Sequence, residues 1–306
     1  MRILVTGGAG FIGSNLAKQL ARRGHTVVVA DDFSSAHWSN LTDFPGDLVT
    51  ANVALQPDFL RTLEPCQFIL HQASITDTTV TDQRWMMHNN VDGFRAILDL
   101  AIAWKSKVVW ASSASIFGRH APPMKEDAPP QPLNAYAFSK LAMERLADLY
   151  RPRLAQPIIG LRYFNVFGPG EDHKGKFASM IHQLAKQMRA GRRPRIFTAG
   201  QQRRDFVYID DVVQANLKAI ESNASGVFNV GCGKGESFNQ VVSELNRVLK
   251  TALEPDYFEN PYGFTQDWTE ADLTLSRQKL GYEPKFSLSA GIDAYAASGK
   301  LGMAAS

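Results

Sequence analysis

Gly7-Gly8-Ala9-Gly10-Phe11-Ile12-Gly13 stands between a short apolar run, Ile3 to Val5, and a helical pattern that continues to Arg22. A glycine-rich turn in that position confines the chain to few folds. Gly7 allows the tight turn, Gly10 lets backbone approach a pyrophosphate, and Gly13 lets the helix pack close on the strand. The helix opens at Phe11 and Ile12, and its first N–H groups are free to meet an anion. A second run, Thr26 to Ala30, ends on Asp31. That is about 20 residues past the loop, where a carboxylate accepts hydrogen bonds from an adenosine ribose. Asp32 follows, and the stretch from Asp32 to Leu41 holds no lysine or arginine, only His37. The Asp31 carboxylate repels a 2′-phosphate, so charge favours NAD as cofactor, with NADP as the alternative.

The same texture continues through the first half of the chain. Phe68 to His71, Val108 to Ala111 and Ile158 to Arg162 are further apolar runs separated by helical patterns. Parallel strands covered on both faces read in this way. The fold class expected is α/β: a doubly wound parallel sheet (Rossmann) with a smaller C-terminal substrate-binding lobe. Residues 1–165 are expected to bind the dinucleotide, with a return segment around 204–230, and residues 166–306 to form the lobe. Phe206 to Ile209 and Gly226 to Val230 read as isolated strands, Phe238 to Leu249 as an amphipathic helix, and Ala296 to Ser306 as a frayed tail.

Composition excludes several alternatives. A formal charge of +3, with 44% hydrophobic and 21% charged residues, lacks the concentrated basic face of a nucleic-acid binder. No stretch approaches the ~20 apolar residues that cross a bilayer. The opening Met-Arg-Ile-Leu-Val reads as a strand rather than a signal peptide, and the two cysteines, Cys66 and Cys232, form neither a metal spacing nor a disulfide framework. The expectation is a cytoplasmic protein with no metal, no nucleic acid and no membrane among its partners.

Past the run Val108 to Ala111 come Ser112-Ser113-Ala114-Ser115, then Tyr136 and Lys140. Tyrosine and lysine four apart share one helix face. A phenol titrates near ~10, too high for a base at neutrality, and a nearby ammonium together with a positive nicotinamide ring lowers that value. A serine hydroxyl then positions the substrate alcohol. Behind a dinucleotide loop, Ser113, Tyr136 and Lys140 read as one acid/base set. Gln72, Ala73 and Ser74, after the Phe68 run, and Asn89 are further candidate cofactor contacts.

The loop Gly7 to Gly13, Asp31, Ser113, Tyr136, Lys140 and the stretch Leu161 to Pro169 together resemble the extended short-chain dehydrogenase/reductase family over nearly the whole chain. That resemblance implies a nucleotide-sugar substrate and a homo-oligomer. Dehydratases of the family carry an Asp-Glu pair where Ala114 and Ser115 stand here, which argues against water elimination. The segments Gly168 to Gly175, Arg203 to Tyr208 and Glu270 to Thr274 look like those of the epimerases that invert an ADP-linked heptose at its sixth carbon. In that group the lysine of His-Lys-Gly is a second acid/base, a role that falls on Lys174. The resemblance also implies substrate contacts at Asn165, Val166 and Lys176, and a hold on the diphosphate by Phe197, Gly200 and Arg204. Tyr262 lies near, but out of register with, a tyrosine that the group carries before the Glu270 segment.

Chemistry makes a second base reasonable. Inverting a secondary alcohol through a ketone requires hydride to return to the opposite face, so one proton donor cannot easily serve both epimers. The alternatives are a UDP-hexose 4-epimerase (UDP-glucose or UDP-N-acetylglucosamine) and a net NAD(P)-dependent dehydrogenase or reductase of the same fold.

Overall fold

The computed structural model describes residues 1–259 and 266–303; Tyr262 and the last three residues of the tail lie outside them. The strands are β1 (Arg2–Thr6), β2 (Thr26–Asp31), β3 (Asp47–Thr50), β4 (Phe68–His71), β5 (Lys107–Ser113), β6 (Ile158–Tyr163), β7 (Asn165–Phe167), β8 (Arg195–Phe197), β9 (Arg203–Tyr208), β10 (Gly226–Val230), β11 (Gly235–Ser237) and β12 (Asp256–Phe258). The helices are α1 (Phe11–Arg22), α2 (Pro57–Leu60), α3 (Gln83–Met87), α4 (Gly93–Trp104), α5 (Ala135–Tyr150), α6 (Met180–Arg189), α7 (Ile209–Glu221), α8 (Phe238–Leu249), α9 (Thr274–Leu280) and α10 (Leu288–Ala297).

Among the described residues, seven strands form one sheet in the order β10-β6-β5-β4-β1-β2-β3, every pair parallel. Strand order reverses between β1 and β4, the switch point at which a doubly wound sheet opens a crevice for ligands. Alternation along β1 sends Ile3 and Val5 to one face and Leu4 to the other. The first face is covered by α1, through Leu16, Ala17 and Leu20, and by α7, through Val212 and Ala215. The second is covered by Phe94, Ile97 and Leu98 of α4 and by Met143 and Leu146 of α5. Burying each of the larger of these side chains, from valine to phenylalanine, is worth about 1.5–3 kcal/mol, so both helical layers are held by the same strands.

One buried polar cluster fixes α5 against this sheet. Arg162 of β6 grips Glu144 of α5 through two hydrogen bonds, Nε to Oε1 at 2.8 Å and Nη2 to Oε2 at 2.7 Å. Ser112 of β5 donates to the same carboxylate at 2.6 Å. The pair registers the helix that carries Tyr136 and Lys140.

After β6 the chain builds two small sheets beyond the crevice, β11-β9-β7 and β12-β8. Three expectations change, and one strand appears that the sequence did not mark. Gly226–Val230 is not isolated but lies beside β6 as the last strand of the large sheet. The run around Phe206 is a strand from Arg203 to Tyr208, and Ile209 already opens α7. Asp47–Thr50, with no apolar run, pairs with β2 as the exposed edge strand. The described part of the tail is anchored: Leu301 is fully buried and its carbonyl accepts from Arg189 Nε at 2.7 Å.

Candidate active site

A cavity of about 880 Å³ opens at the carboxyl ends of the large sheet's strands, between that sheet and the small ones. Its floor is the glycine loop, with Gly7, Gly10, Phe11, Ile12 and Gly13 all in the lining. Gly7 adopts φ +65, and a Cβ there would come within 2.5 Å of the Ala73 nitrogen. Gly10 is the N-cap of α1 and places no side chain over the first turn, which also lacks acidic residues. The N–H groups of that turn are therefore left for a ligand.

Asp31 and Asp32 line one end of the cavity. Asp31 accepts from the Ala9 N–H at 2.9 Å and from the Phe33 N–H at 2.9 Å. Burial holds its carboxyl above the usual range, while those backbone donors pull it back. Asp32 is held by Asn52 Nδ2 at 2.6 Å and by Ser34. Gln72, Ala73, Ser74 and Asn89 line the neighbouring wall.

Ser113, Tyr136 and Lys140 meet further along. Ser113 ends β5 and caps the short turn after it. Tyr136 lies in the first turn of α5, which Asn134 caps by accepting from the Ala137 N–H at 2.8 Å. Lys140, one turn on and 1% exposed, donates to the Ala111 carbonyl at 2.8 Å, with its Nζ 5.8 Å from the centre of the Tyr136 ring. Burial pushes its ammonium down to about 7. Burial raises Tyr136 above the usual value, and a hydrogen bond with Ser113 only offsets this. The protein's own groups thus do not depress the phenol.

Lys174 enters from the turn Asp172–Phe177, with its Nζ 5.8 Å from the centre of the Phe11 ring, and burial lowers its ammonium below the ordinary value. Asn165, Val166, Phe197 and Arg204 complete the far wall. Arg204 is pushed down to about 10 by burial and lies 5.7 Å over the Phe238 ring. Two expected contacts fall elsewhere. Lys176 is exposed and sits over Phe177, outside the lining. Gly200 turns the chain at φ +69 against Asn239 of α8, also outside it.

Sequence reasoning passed over His173, Gln202, Phe206 and Phe238, all of which line the cavity. His173 stands beside Lys174, so proximity was a usable signal; Phe206 read as part of a strand and of the Arg203–Tyr208 segment, and Phe238 as the start of an amphipathic helix.

Comparison with known proteins fits this geometry. The pattern of the family described as "NAD dependent epimerase/dehydratase family" matches residues 3–231. The chain is 38% identical over 310 residues to an ADP-L-glycero-D-manno-heptose-6-epimerase of Brachyspira hyodysenteriae, covering 96% of each. The solved ADP-L-glycero-D-manno-heptose-6-epimerase of Helicobacter pylori superposes with a TM-score of 0.91 at 37% identity, over 97% of this chain and 95% of that one. A UDP-glucose 4-epimerase of Thermotoga maritima, solved with UDP-glucose, also gives 0.91, at 30% identity over 97% and 98%.

Proposed function

Because the chain belongs to the NAD dependent epimerase/dehydratase family, we propose that it inverts the sixth carbon of an ADP-linked glycero-manno-heptose. It is an isomerase of nucleotide sugars that works with NAD. The observation that carries the finer reading is that two proton-transferring side chains from separate elements, Tyr136 and Lys174, share one cavity. The similarity to heptose epimerases supports it.

The residues present fit the cofactor. A Cβ at Gly13 would lie 2.1 Å from the Gly7 carbonyl oxygen, so the loop keeps the bare backbone and uncapped helix end that a pyrophosphate needs. Gly7, Gly10, Phe11, Ile12 and Gly13 would hold the diphosphate, Asp31 and Asp32 the adenosine ribose, and Gln72, Ala73, Ser74, Asn89, Tyr136 and Lys140 the remainder. When bound, the cofactor accepts and returns a hydride, and its oxidised ring adds a positive charge that favours the phenolate.

In this reading Ser113 orients the reacting oxygen and Tyr136 takes its proton as the sugar becomes a ketone. Lys140, tied to Ala111, fixes Tyr136 from below. Lys174 serves the oxygen of the other epimer after the ketone has turned. Each proton transfer is worth roughly 10²–10⁴ in rate. Asn165 and Val166 would contact the sugar, and Phe197 and Arg204 the nucleotide diphosphate; Arg204 offers a planar guanidinium matched to phosphate. We place the cofactor on residues 1–165 with the segment 204–230, and the nucleotide sugar on residues 166–306.

The reading extends to a cytoplasmic homo-oligomer. No helix of the described residues is long and apolar enough to cross a membrane. Phe138 and Leu149, exposed on α5, are apolar side chains that an assembly would cover.

The equal structural likeness to a UDP-glucose 4-epimerase favours a second reading, inversion of a UDP-hexose at its fourth carbon. Incubation with ADP-D-glycero-D-manno-heptose and, separately, with UDP-hexoses, followed by proton NMR, separates the two. Heptose inversion that is lost in Lys174→Ala is expected. Turnover of a UDP-hexose pair alone sinks the heptose reading, and net reduced cofactor in step with product would make the protein a dehydrogenase.

A further inference from the structure

Glu171 is completely buried, yet it touches no substrate wall. Its carboxylate accepts from the Gly168 N–H at 3.1 Å, from the Ser179 N–H and from the Ser179 hydroxyl at 2.9 Å. Its carbonyl accepts from the Lys174 N–H at 3.0 Å. One side chain thus clasps both ends of the segment 168–179, whose middle carries His173 and Lys174. A buried carboxylate is costly unless hydrogen-bonded or paired, and this one has N–H and O–H donors but no ion pair among the described residues.

Lys174 has the complementary lack. Its ammonium lines the cavity and makes no hydrogen bond or ion pair among the described residues beyond its place over Phe11. We propose that Glu171 is the positioning residue for Lys174, fixing the turn that presents it and supplying the buried negative charge that keeps its proton. The inference rests on the reading of Lys174 as the second acid/base.

Glu171 attracts this ammonium, and although burial raises the Glu171 carboxyl, its hydrogen bonds from Ser179 and Gly168 and the Lys174 charge pull it back. On the same turn stand Asp172, His173 and Lys176, and the first turn of α1 brings Phe11 and no ionisable group. α6 brings His182 and α10 brings Tyr295, hydrogen-bonded to each other at 2.8 Å. The cavity wall adds the carboxylates Asp31, Asp32 and Asp77, the phenols Tyr136 and Tyr163, and the cations Lys140 and Arg204. Burial drives the Lys174 ammonium down, and Glu171 is the neighbour that opposes it.

The direction of one titration decides the matter. In the NAD-bound protein carrying ¹³C-labelled lysine, the Lys174 resonance is assigned by its loss in Lys174→Ala and followed against pH. Replacing Glu171→Gln removes the charge and keeps the shape, so the Lys174 midpoint falls, by about one pH unit. A residue that merely held the turn would, on removal, open Lys174 to water and move the midpoint up towards that of a free lysine. An unchanged or raised midpoint overturns the proposal. If Glu171→Gln does not fold, Glu171→Asp keeps the charge but draws it back. Its midpoint must then fall by less, and no fall again overturns the proposal. Failure of the Lys174 reading looks different, because Lys174→Ala would then retain epimerisation whatever the titration gives.

Discussion

The side-chain amide of Asn40 joins two loops far apart in sequence: its Nδ2 lies 2.9 Å from the Ala9 carbonyl oxygen and 3.1 Å from Nδ1 of His173. The glycine loop and the lysine turn are thereby held in one register. Because the amide donates, His173 must accept at Nδ1 and carry its proton on Nε2. Burial lowers the imidazole's proton affinity, in keeping with that neutral form.

Asn40→Ala leaves a buried carbonyl and a ring nitrogen without a donor, and should cost about 1–3 kcal/mol in urea unfolding. Combined with His173→Ala, the two losses should fall short of their sum by at least about 0.5 kcal/mol. Strict additivity would mean that the two side chains act independently.

Tyr136→Phe keeps the ring and removes the only atom through which it can move a proton. Turnover should fall by roughly 10²–10⁴, while NADH still binds, as read by its fluorescence. A variant within tenfold of the parent rate would remove Tyr136 from the acid/base set.

Two glycines separate close approach from mere backbone freedom. A Cβ at Gly13 would meet the Gly7 oxygen at 2.1 Å, whereas one at Gly24, which has φ +80, meets nothing within 4 Å. Gly13→Ala should abolish cofactor binding. Gly24→Ala should bind NADH normally and lose only about 1 kcal/mol, the strain of a left-handed residue. Equal effects on binding would refute the assignment of the loop.

His71, at the end of β4, is bound through Nδ1 to Thr6 Oγ1 at 2.7 Å, and its Nε2 is buried with no partner among the described residues. Burial, with Lys140 adding to it, lowers its pKa from 6.5 to about 3. The folded protein keeps this imidazole neutral while the unfolded chain takes up a proton below about 6.5. Its contribution is therefore intact above that pH and is lost as pH falls towards 3, by about 1.4 kcal/mol per unit. Unfolding free energies at pH 7 and pH 4.5 should differ by about 2.5 kcal/mol more in the parent than in His71→Phe. Matching slopes would mean that His71 titrates normally when folded.

Much of this was legible along the chain because parallel strands covered on both faces leave continuous apolar runs, and because the glycine loop and Tyr136/Lys140 have fixed local spacing. β3 left no such trace, since three of its four residues are exposed and it gains its place only by pairing with β2. Gly226–Val230 could be read as a strand, but its neighbour β6 lies more than sixty residues back and no local pattern names it. The same holds in the cavity. Lys174 and Lys176 are two residues apart, yet one lines the cavity and the other does not, and the kink that separates them falls at Gly175, at φ +54, rather than following any periodicity. Asn40 and His173 are 133 residues apart, and neither carries a motif that predicts the other.

The return of the chain to the large sheet at β10 has a consequence for how such a protein can change its substrate. β7, β8 and β9 lie before that return, and β11, β12 and the last helices after it. The far wall of the cavity is thus drawn mainly from the stretch before the return, with Phe238 of α8 added from the stretch after it, and no single cut releases it whole. A terminal module cannot be exchanged to give a new specificity. Any transplant must carry both stretches and leave β10 in place, so new substrates are more readily reached one wall residue at a time than by recombination.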